Sequence, residues 1–423
     1  MLYKFNTHCI SIKNKDKVIL GSRYTGKWVK ISTEVYEIFK LGISSNLSIE
    51  DLKSKLHDNE DREYIDKLYN ILCSKGILDK GNTNEKLRPR MITFDITSRC
   101  NLRCTHCCAS ADVSNKDILS TKDIKDIIDK IIICEPNSIV LTGGEPMLRD
   151  DFLEILEYTK NHYKGRLILA TNGTLINNRN IEKLIDCVSQ IDVSLDGVDE
   201  ETCSIIRGNG VFNKVINNIK LLKDKGFNEI TVSMTMSEKT EHLEKQFYEL
   251  NKMLGTQAYV RRFTPIGRGL ENRHIFMEEK NNELYIPNYI KNNNSKMIPI
   301  CNCRAGKYEL FISNTGDLYP CSSFTTDRYK LGNMIDILNI ENKINDELFY
   351  NEFLSDLGGF TYNSCKECKV NLFCWTCRGK FEELKDNKDA LKERCNIMKP
   401  ILYKKVWNED ICLEGEELHE LQI

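Results

Sequence analysis

A chain of 423 residues is too long for one ordinary domain and leaves room for two or three. With 41% hydrophobic and 29% charged residues it is not a disordered chain, and a net charge of −2 excludes a global field that would draw it to nucleic acid or a membrane. No apolar run approaches a transmembrane span, and the opening Met-Leu-Tyr-Lys-Phe-Asn-Thr-His-Cys lacks an apolar core of signal-peptide length, so the expected location is the cytoplasm, with no membrane partner.

Residues 1–85 open with two short strands, at Val18-Ile-Leu and Trp28-Val-Lys-Ile, joined by a turn containing Gly and Arg. Three helical patterns follow. Thr33 to Leu41 carries Val35, Ile38 and Phe39 on one face; Ser48, with Asp51 three residues on, caps the second; the third runs from about Glu60 to Lys75 and stops at Gly76. Ile77-Leu78 can return as a strand. A small sheet with three helices is winged-helix-turn-helix-like. Lys13, Lys15, Lys17, Arg23, Lys27 and Lys30 against Asp16 suit a nucleic-acid backbone or simply a solvated face; an exposed strand edge beside a helix suits an extended peptide. A polar linker from Gly81 to Pro89 closes the unit.

From residue 88 to 290 strands alternate with helices. The strands are Met91–Thr97, Ser138–Thr142, Arg166–Thr171, Ile191–Leu195, Glu229–Thr235 and Gln257–Phe263. Helical stripes lie between them, the first capped by Ser120 with Asp123. This alternation predicts a parallel α/β sheet, and six units are too few to close an eight-stranded barrel. Chemistry in such an array sits at the C-terminal strand ends. The first strand runs into Cys100-Asn-Leu-Arg-Cys104-Thr-His-Cys107, and the second ends in Thr142-Gly-Gly-Glu-Pro. The third ends in Ala170-Thr-Asn-Gly, the fourth in Ser194-Leu-Asp-Gly, and Arg207-Gly-Asn-Gly follows.

Eighteen cysteines in a chain expected in a reducing compartment point to metal binding more than to disulfides. Three thiolates on one polar loop can hold an iron–sulfur cluster with one iron left open for a ligand. Gly143 and Gly144 let backbone approach that ligand, Glu145 can accept from an amine, and Arg207 can pair with a carboxylate. Asn172 and Ser194 suit hydroxyl or carboxylate groups, and His106 offers a flat surface for a base. Cys108, next to the third thiol, reads as a packing residue. A lone Gly-Gly-Glu-Pro is more often an ordinary turn, and singly scattered cysteines such as Cys9, Cys73 and Cys134 are more often buried small side chains.

Residues 291–400 begin with an Asn-rich loop, Asn292-Asn-Asn-Ser, and hold eight cysteines: Cys301, Cys303, Cys321, Cys365, Cys368, Cys374, Cys377 and Cys395. Two strand-like pieces flank a Gly316-Asp turn. Pairs two residues apart have metal-ligand spacing, and a structural zinc module is the rival to iron–sulfur clusters. Residues 401–423 read as a helical tail ending acidic, with Glu414, Glu416, Glu417 and Glu420.

The CxxxCxxC loop, followed one strand later by Gly-Gly-Glu-Pro, resembles the radical S-adenosylmethionine (radical SAM) superfamily, and the later cysteines resemble its SPASM extension. The resemblance implies a partial (β/α)6 TIM barrel. In it, Cys100, Cys104 and Cys107 hold a [4Fe-4S] cluster, and S-adenosylmethionine is bound by His106, Gly143, Gly144, Glu145, Asn172, Ser194 and Arg207. It further implies two auxiliary clusters of [4Fe-4S] type. Carried over by order, Cys365, Cys368, Cys374 and Cys395 hold the outer one and Cys303, Cys321 and Cys377 the inner one, with Cys301 as fourth ligand or an open site in its place. The Cys374–Cys377 gap is one residue shorter than the usual pattern.

Reductive cleavage of S-adenosylmethionine, fed by flavodoxin or ferredoxin, is then expected to give a 5′-deoxyadenosyl radical that takes a substrate hydrogen. Ahead of such a core, residues 1–85 resemble the PqqD-like element that binds precursor-peptide leaders. The implied reaction is a sactipeptide-type cysteine thioether on a ribosomally made peptide. Carbon–carbon cross-linking and formylglycine formation of the sulfatase-maturase kind are the alternatives, and a DNA-linked regulator is the rival from another class.

Overall fold

The computed structural model describes residues 2–6, 8–23, 25–80, 89–277, 298–301, 303–306, 308–344, 365–375 and 377–408. The 81–88 linker, the Asn292 loop and the acidic tail lie outside them. The chain forms two compact units that do not follow its order: Met1–Lys86 with Glu283–Arg304 and Glu347–Ile423, and Leu87–Asn282 with Ala305–Asp346.

In the first unit β1 (Tyr3–Phe5) pairs antiparallel with β5 (Leu78–Lys80), and β2 (Cys9–Asn14), β3 (Lys17–Ser22) and β4 (Trp28–Ser32) form an antiparallel sheet in that order. The expected hairpin is therefore the β3–β4 half of a larger sheet. β2 escapes a search for apolar runs because none of its residues is fully buried, with Ser11 and Lys13 exposed and Lys and Asn at its end. Its two-residue turn, Lys15-Asp16, places Lys15 at φ +50. The three helices follow as Thr33–Ser44, Ile49–Ser54 and Asn59–Ser74. Each starts on a side-chain cap: Ser32 accepts from the Val35 amide, Ser48 and Asp51 form a reciprocal box, and Asp58 accepts from Asp61.

β3 is buried on both faces. Val18 and Leu20 join Phe39, Ile65 and Leu72 under the helices. Ile19 points the other way, because side chains alternate along a strand, and packs with Ile300, Leu372, Phe373, Met398 and Trp407. The helix Lys388–Trp407 runs unbroken across residue 400, and its last turn is core. Polar contacts fix the same face: Trp28 Nε1 donates to the Ile298 carbonyl at 2.6 Å, Lys30 Nζ to Val406 at 3.0 Å, and Trp407 Nε1 to Lys369 at 2.9 Å.

The second unit is a nine-stranded sheet. Six parallel strands lie side by side in chain order: β6 (Met91–Asp95), β7 (Ser138–Thr142), β8 (Arg166–Thr171), β9 (Gln190–Ser194), β10 (Ile230–Met236) and β11 (Gln257–Arg262). These are the six expected strands, with ends moved by one or two residues. β12 (Glu309–Ile312) adds parallel to the outer side of β6, and β13 (Asp317–Tyr319) and β14 (Gly332–Asn333) extend it antiparallel. The pieces around Gly316 are thus strands of the large sheet. Nothing in their own sequence names β6 as partner.

One sheet face is a hydrocarbon layer: Ile92 and Phe94, Ile139 and Leu141, Leu167 and Leu169, Ile191 and Val193, packed on helices such as Thr121–Ile133 and Phe152–His162. The alternate residues, among them Thr93, Asp95, Thr142, Ser194 and Thr235, face the concave side, which is polar. No described helix is long and apolar enough to cross a membrane.

Trp407 is the largest side chain joining the C-terminal helix to β3. Trp407→Ala should cost about 3–5 kcal/mol of folding stability by opening that core. Trp407→Phe, which keeps most of the bulk but orphans the Lys369 carbonyl, should cost about 1–2 kcal/mol. Denaturant midpoints of the two variants, read against the unaltered chain, check the order.

Candidate functional site

Between β6 and the helix Thr121–Ile133 the chain has no regular secondary structure, yet it carries the three cysteines. Its backbone polar groups therefore need partners from elsewhere. Buried Arg149 donates to the carbonyls of Ile96 (3.0 Å) and Leu119 (3.2 Å). Buried Arg268 donates to Cys104 (3.0 Å) and Ala111 (2.7 Å). Asp117 accepts from Thr97 Oγ1 at 2.5 Å and from Arg99 at 3.1 Å.

The Gly-Gly turn completes the clamp. The Gly144 amide donates to Thr97 and the Glu145 amide to Arg99, both at 2.8 Å. A Cβ on Gly143, whose φ is +144, would stand 2.3 Å from the Thr97 oxygen, and one on Gly144 2.2 Å from the Arg99 oxygen. The glycines thus let the turn lie against the cysteine loop itself.

Cys100 and Cys104 are buried and Cys107 is half-buried. Each sulfur receives N–H groups: Cys100 from the Leu102 amide (3.4 Å) and Asn172 Nδ2 (3.9 Å), Cys104 from Arg207 Nη1 (3.9 Å), Cys107 from the Ala111 amide (3.4 Å). Burial pushes the Cys100 thiol up to about 11; it also raises Cys104, against the pull of Arg207. Among the described residues no three Cys, His, Asp or Glu side chains close on a single ion. Cluster thiolates each bind a different iron and stand wider apart than ligands of one ion. Thiols supplied with donors fit such a cluster, whose sulfurs accept hydrogen bonds.

Glu145 is fully buried. Its carboxylate accepts from Thr171 Oγ1 (2.8 Å), the Asn172 amide (2.7 Å) and the Met147 amide (3.1 Å). Burial raises its pKa while these donors oppose the rise. Asn172 bridges from there to the loop, with Nδ2 donating to Asn101 Oδ1 at 2.9 Å. Ser194 ends β9, half-buried.

His106 and Arg207 meet at a residue the sequence reading passed over, Asp196. His106 Nε2 lies 2.8 Å and Arg207 Nη2 2.6 Å from Asp196 Oδ2, and the Thr235 amide donates to Oδ1 at 2.6 Å. Burial alone would raise the Asp196 carboxyl, but Arg207, His106 and that amide hold it well below the usual range. A carboxylate in the Leu-Asp-Gly turn after β9, two residues beyond the strand end, was the signal available. Nδ1 of His106 and Nε of Arg207 are buried with no hydrogen-bond partner, which a bound ligand would explain.

In the first unit, Cys368, Cys374 and Cys395 share one neighbourhood, where burial raises the Cys374 and Cys395 thiols and the nearby thiols add to the rise. The Cys368 amide donates to Cys365 at 3.0 Å. Arg394 donates to Cys374 Sγ at 2.8 Å and lies 3.6 Å above the Trp375 ring. Cys301 is buried beside Arg378 and Cys377, and Cys303 is half-buried. Cys321, half-buried just after β13, belongs to the second unit.

Residues 94–248 match the Radical SAM superfamily, and residues 301–369 match SPASM, an iron–sulfur cluster-binding domain. The antilisterial bacteriocin subtilosin biosynthesis protein AlbA of Bacillus subtilis is 27% identical over 368 residues, 79% of each chain. The mycofactocin maturase MftC of Mycolicibacterium smegmatis is 28% identical over 58% of this chain and 68% of its own. Streptococcus suis SuiB, in its crystal structure with precursor peptide SuiA, superposes with a TM-score of 0.52 at 16% identity, over 88% of this chain and 94% of that one. The chain thus carries a Radical SAM domain followed by a SPASM domain, and it is a radical SAM enzyme that works with iron–sulfur clusters and S-adenosylmethionine.

Proposed function

We propose that this enzyme matures a ribosomally made precursor peptide by closing a cysteine thioether cross-link of the sactipeptide type. The observation that carries the reading is the union, in one chain, of the radical SAM core with a small sheet-and-three-helix element packed on the cysteine-rich segment. AlbA, whose name ties it to subtilosin biosynthesis, aligns over 79% of this chain, and SuiB, of like fold, has been crystallised with its precursor peptide.

In this reading residues 1–85 bind the leader, 88–290 form the radical core, 291–400 hold the auxiliary clusters, and 401–423 are the tail. Cys100, Cys104 and Cys107 hold the first cluster. Cluster and S-adenosylmethionine together supply a primary carbon radical that removes a substrate hydrogen. Glu145 and Asn172 hold the strand ends that line the cofactor site, with Gly143, Gly144 and Ser194. Arg207 and His106, tied down by Asp196, present their free nitrogens to the ligand. Cys365, Cys368, Cys374 and Cys395 take the outer auxiliary cluster. Cys303, Cys321 and Cys377, with Cys301, take the inner one. Arg394 beside Cys374 and Arg378 beside Cys301 offset thiolate charge. The electron donor is a flavodoxin or ferredoxin, and the site of action is the cytoplasm.

Four tests follow from this assignment. The reconstituted chain should hold roughly eight to twelve irons; a zinc-only protein would refute the cluster reading. The triple change Cys100→Ala, Cys104→Ala, Cys107→Ala should abolish reductive cleavage of S-adenosylmethionine and remove roughly four irons, and cleavage that survived it would sink the site. Gly144→Ala, which drives a methyl into the Arg99 carbonyl, should lose the same irons while keeping the rest. The product decides the bond. A peptide lighter by two hydrogens and short of one alkylatable thiol is a thioether. The same mass loss with every thiol still alkylatable means carbon–carbon closure instead.

A further inference from the structure

Asp95 stands apart from every group assigned above. It is the last residue of β6, level with Thr142 at the end of β7, and five residues ahead of Cys100. Ile92 and Phe94 fill the helix-side core, so alternation turns Thr93 and Asp95 to the concave face at its C-terminal rim. That is the rim where a parallel β/α array places its chemistry. The residue is half-buried, and among the described residues no lysine, arginine or histidine acts on its carboxyl.

Its surroundings hold little charge. β7 offers Val140 and Thr142, and β12 offers Phe311, with Glu309 a strand's length away beside Met91. The cysteine loop offers the exposed Cys108 thiol, which feels the Asp95 charge. Asp192, another acid on this face, is engaged by Gln190 Nε2 at 2.6 Å. Arg261, on β11 at the far edge of the six strands, stacks over Tyr259. With no cation to hold its charge, burial pushes the Asp95 carboxyl up to about 7.

We infer that Asp95 is the base of the cross-linking reaction, the carboxylate that takes the proton from the substrate thiol as the carbon–sulfur bond closes. The inference rests on the thioether reading above. The balance is as follows. A substrate C–H bond breaks and its hydrogen atom leaves with the radical derived from S-adenosylmethionine. The S–H bond breaks and its proton goes to Asp95. The carbon radical and thiolate join, and the one surplus electron passes to an oxidised iron–sulfur centre. The substrate has then lost two hydrogens, one as an atom and one as proton plus electron. A base titrating close to the working pH is ionised often enough to act and basic enough to accept.

The test compares the wild type, Asp95→Asn and Asp95→Glu in the full reconstituted enzyme, with a cysteine-bearing precursor peptide as substrate. Asp95→Asn should form 5′-deoxyadenosine in the presence of peptide but cross-linked product about 100-fold more slowly. Wild-type product formation should rise with pH and level off above about 7. That limb should vanish in Asp95→Asn and return, displaced, in Asp95→Glu.

A second readout needs no turnover. A carboxyl whose folded pKa lies above its unfolded value costs stability once pH passes the unfolded value, and the cost grows until the folded pKa is reached. Asp95→Asn should therefore melt no lower than wild type at pH 8 and gain relative to it between pH 4 and 7. Cross-linking by Asp95→Asn at the wild-type rate, or an unchanged pH limb, overturns the inference. A wild type that makes 5′-deoxyadenosine with peptide but never a product lighter by two hydrogens overturns the thioether reading, and the inference with it.

Discussion

The cysteine loop must hold three thiols in fixed places without a helix or strand to satisfy its backbone, and the second unit is built around that demand. Arg149 and Arg268 are buried to serve carbonyls of the loop. Two glycines bring a turn so close that a methyl on either would collide with loop backbone. A guanidinium in such a place binds several carbonyls at once, because it carries five N–H donors in a fixed fork. The parallel sheet contributes rigidity: β6 enters the loop and β7 enters the Gly-Gly turn, so hydrogen bonding between these strands also sets the loop against the turn.

Much of this was legible in the sequence. The six strands announced themselves because one face packs on helices, so apolar residues recur between caps such as Ser120 with Asp123. The cysteine spacing and the Gly-Gly-Glu-Pro turn were equally plain. What escaped was pairing at a distance. β12 lies beside β6 although well over two hundred residues of numbering separate them. β2 has no apolar run, and Asp196 shows its purpose only once Arg207 and His106 arrive on either side. The Gly-Gly pair was found for an incomplete reason. Sequence suggests close approach to a ligand, and the structure adds close approach to the loop that would hold one.

A common device serves cysteines in both units. Arg207 reaches Cys104 and Arg394 reaches Cys374, while Arg378 lies beside Cys301. Burial by itself pushes each of these thiols up. A buried guanidinium opposes that rise, since a permanent cation favours the thiolate that iron requires. The arginines themselves are buried at a cost that a nearby anion or an aromatic face offsets. Asp196 does this for Arg207, and in the first unit the Trp375 face contributes for Arg394.

The double burial of β3 bears on how recognition of a peptide can be dissected. Ile19 and Trp28 lie in the layer that also contains Leu372 and Phe373, directly ahead of Cys374. Removing residues 1–80 would strip that layer and expose Met398, Leu402 and Trp407 on the helix bearing Cys395. A truncation would therefore confound loss of a peptide-binding surface with loss of the scaffold for the outer cysteines. Exposed positions such as Lys13 and Lys17, which contribute nothing to the buried layer, can be changed without that penalty. The N-terminal element is thus a structural partner of the cysteine-rich segment before it is anything else, and a recognition role has to be read from its surface, not from its deletion.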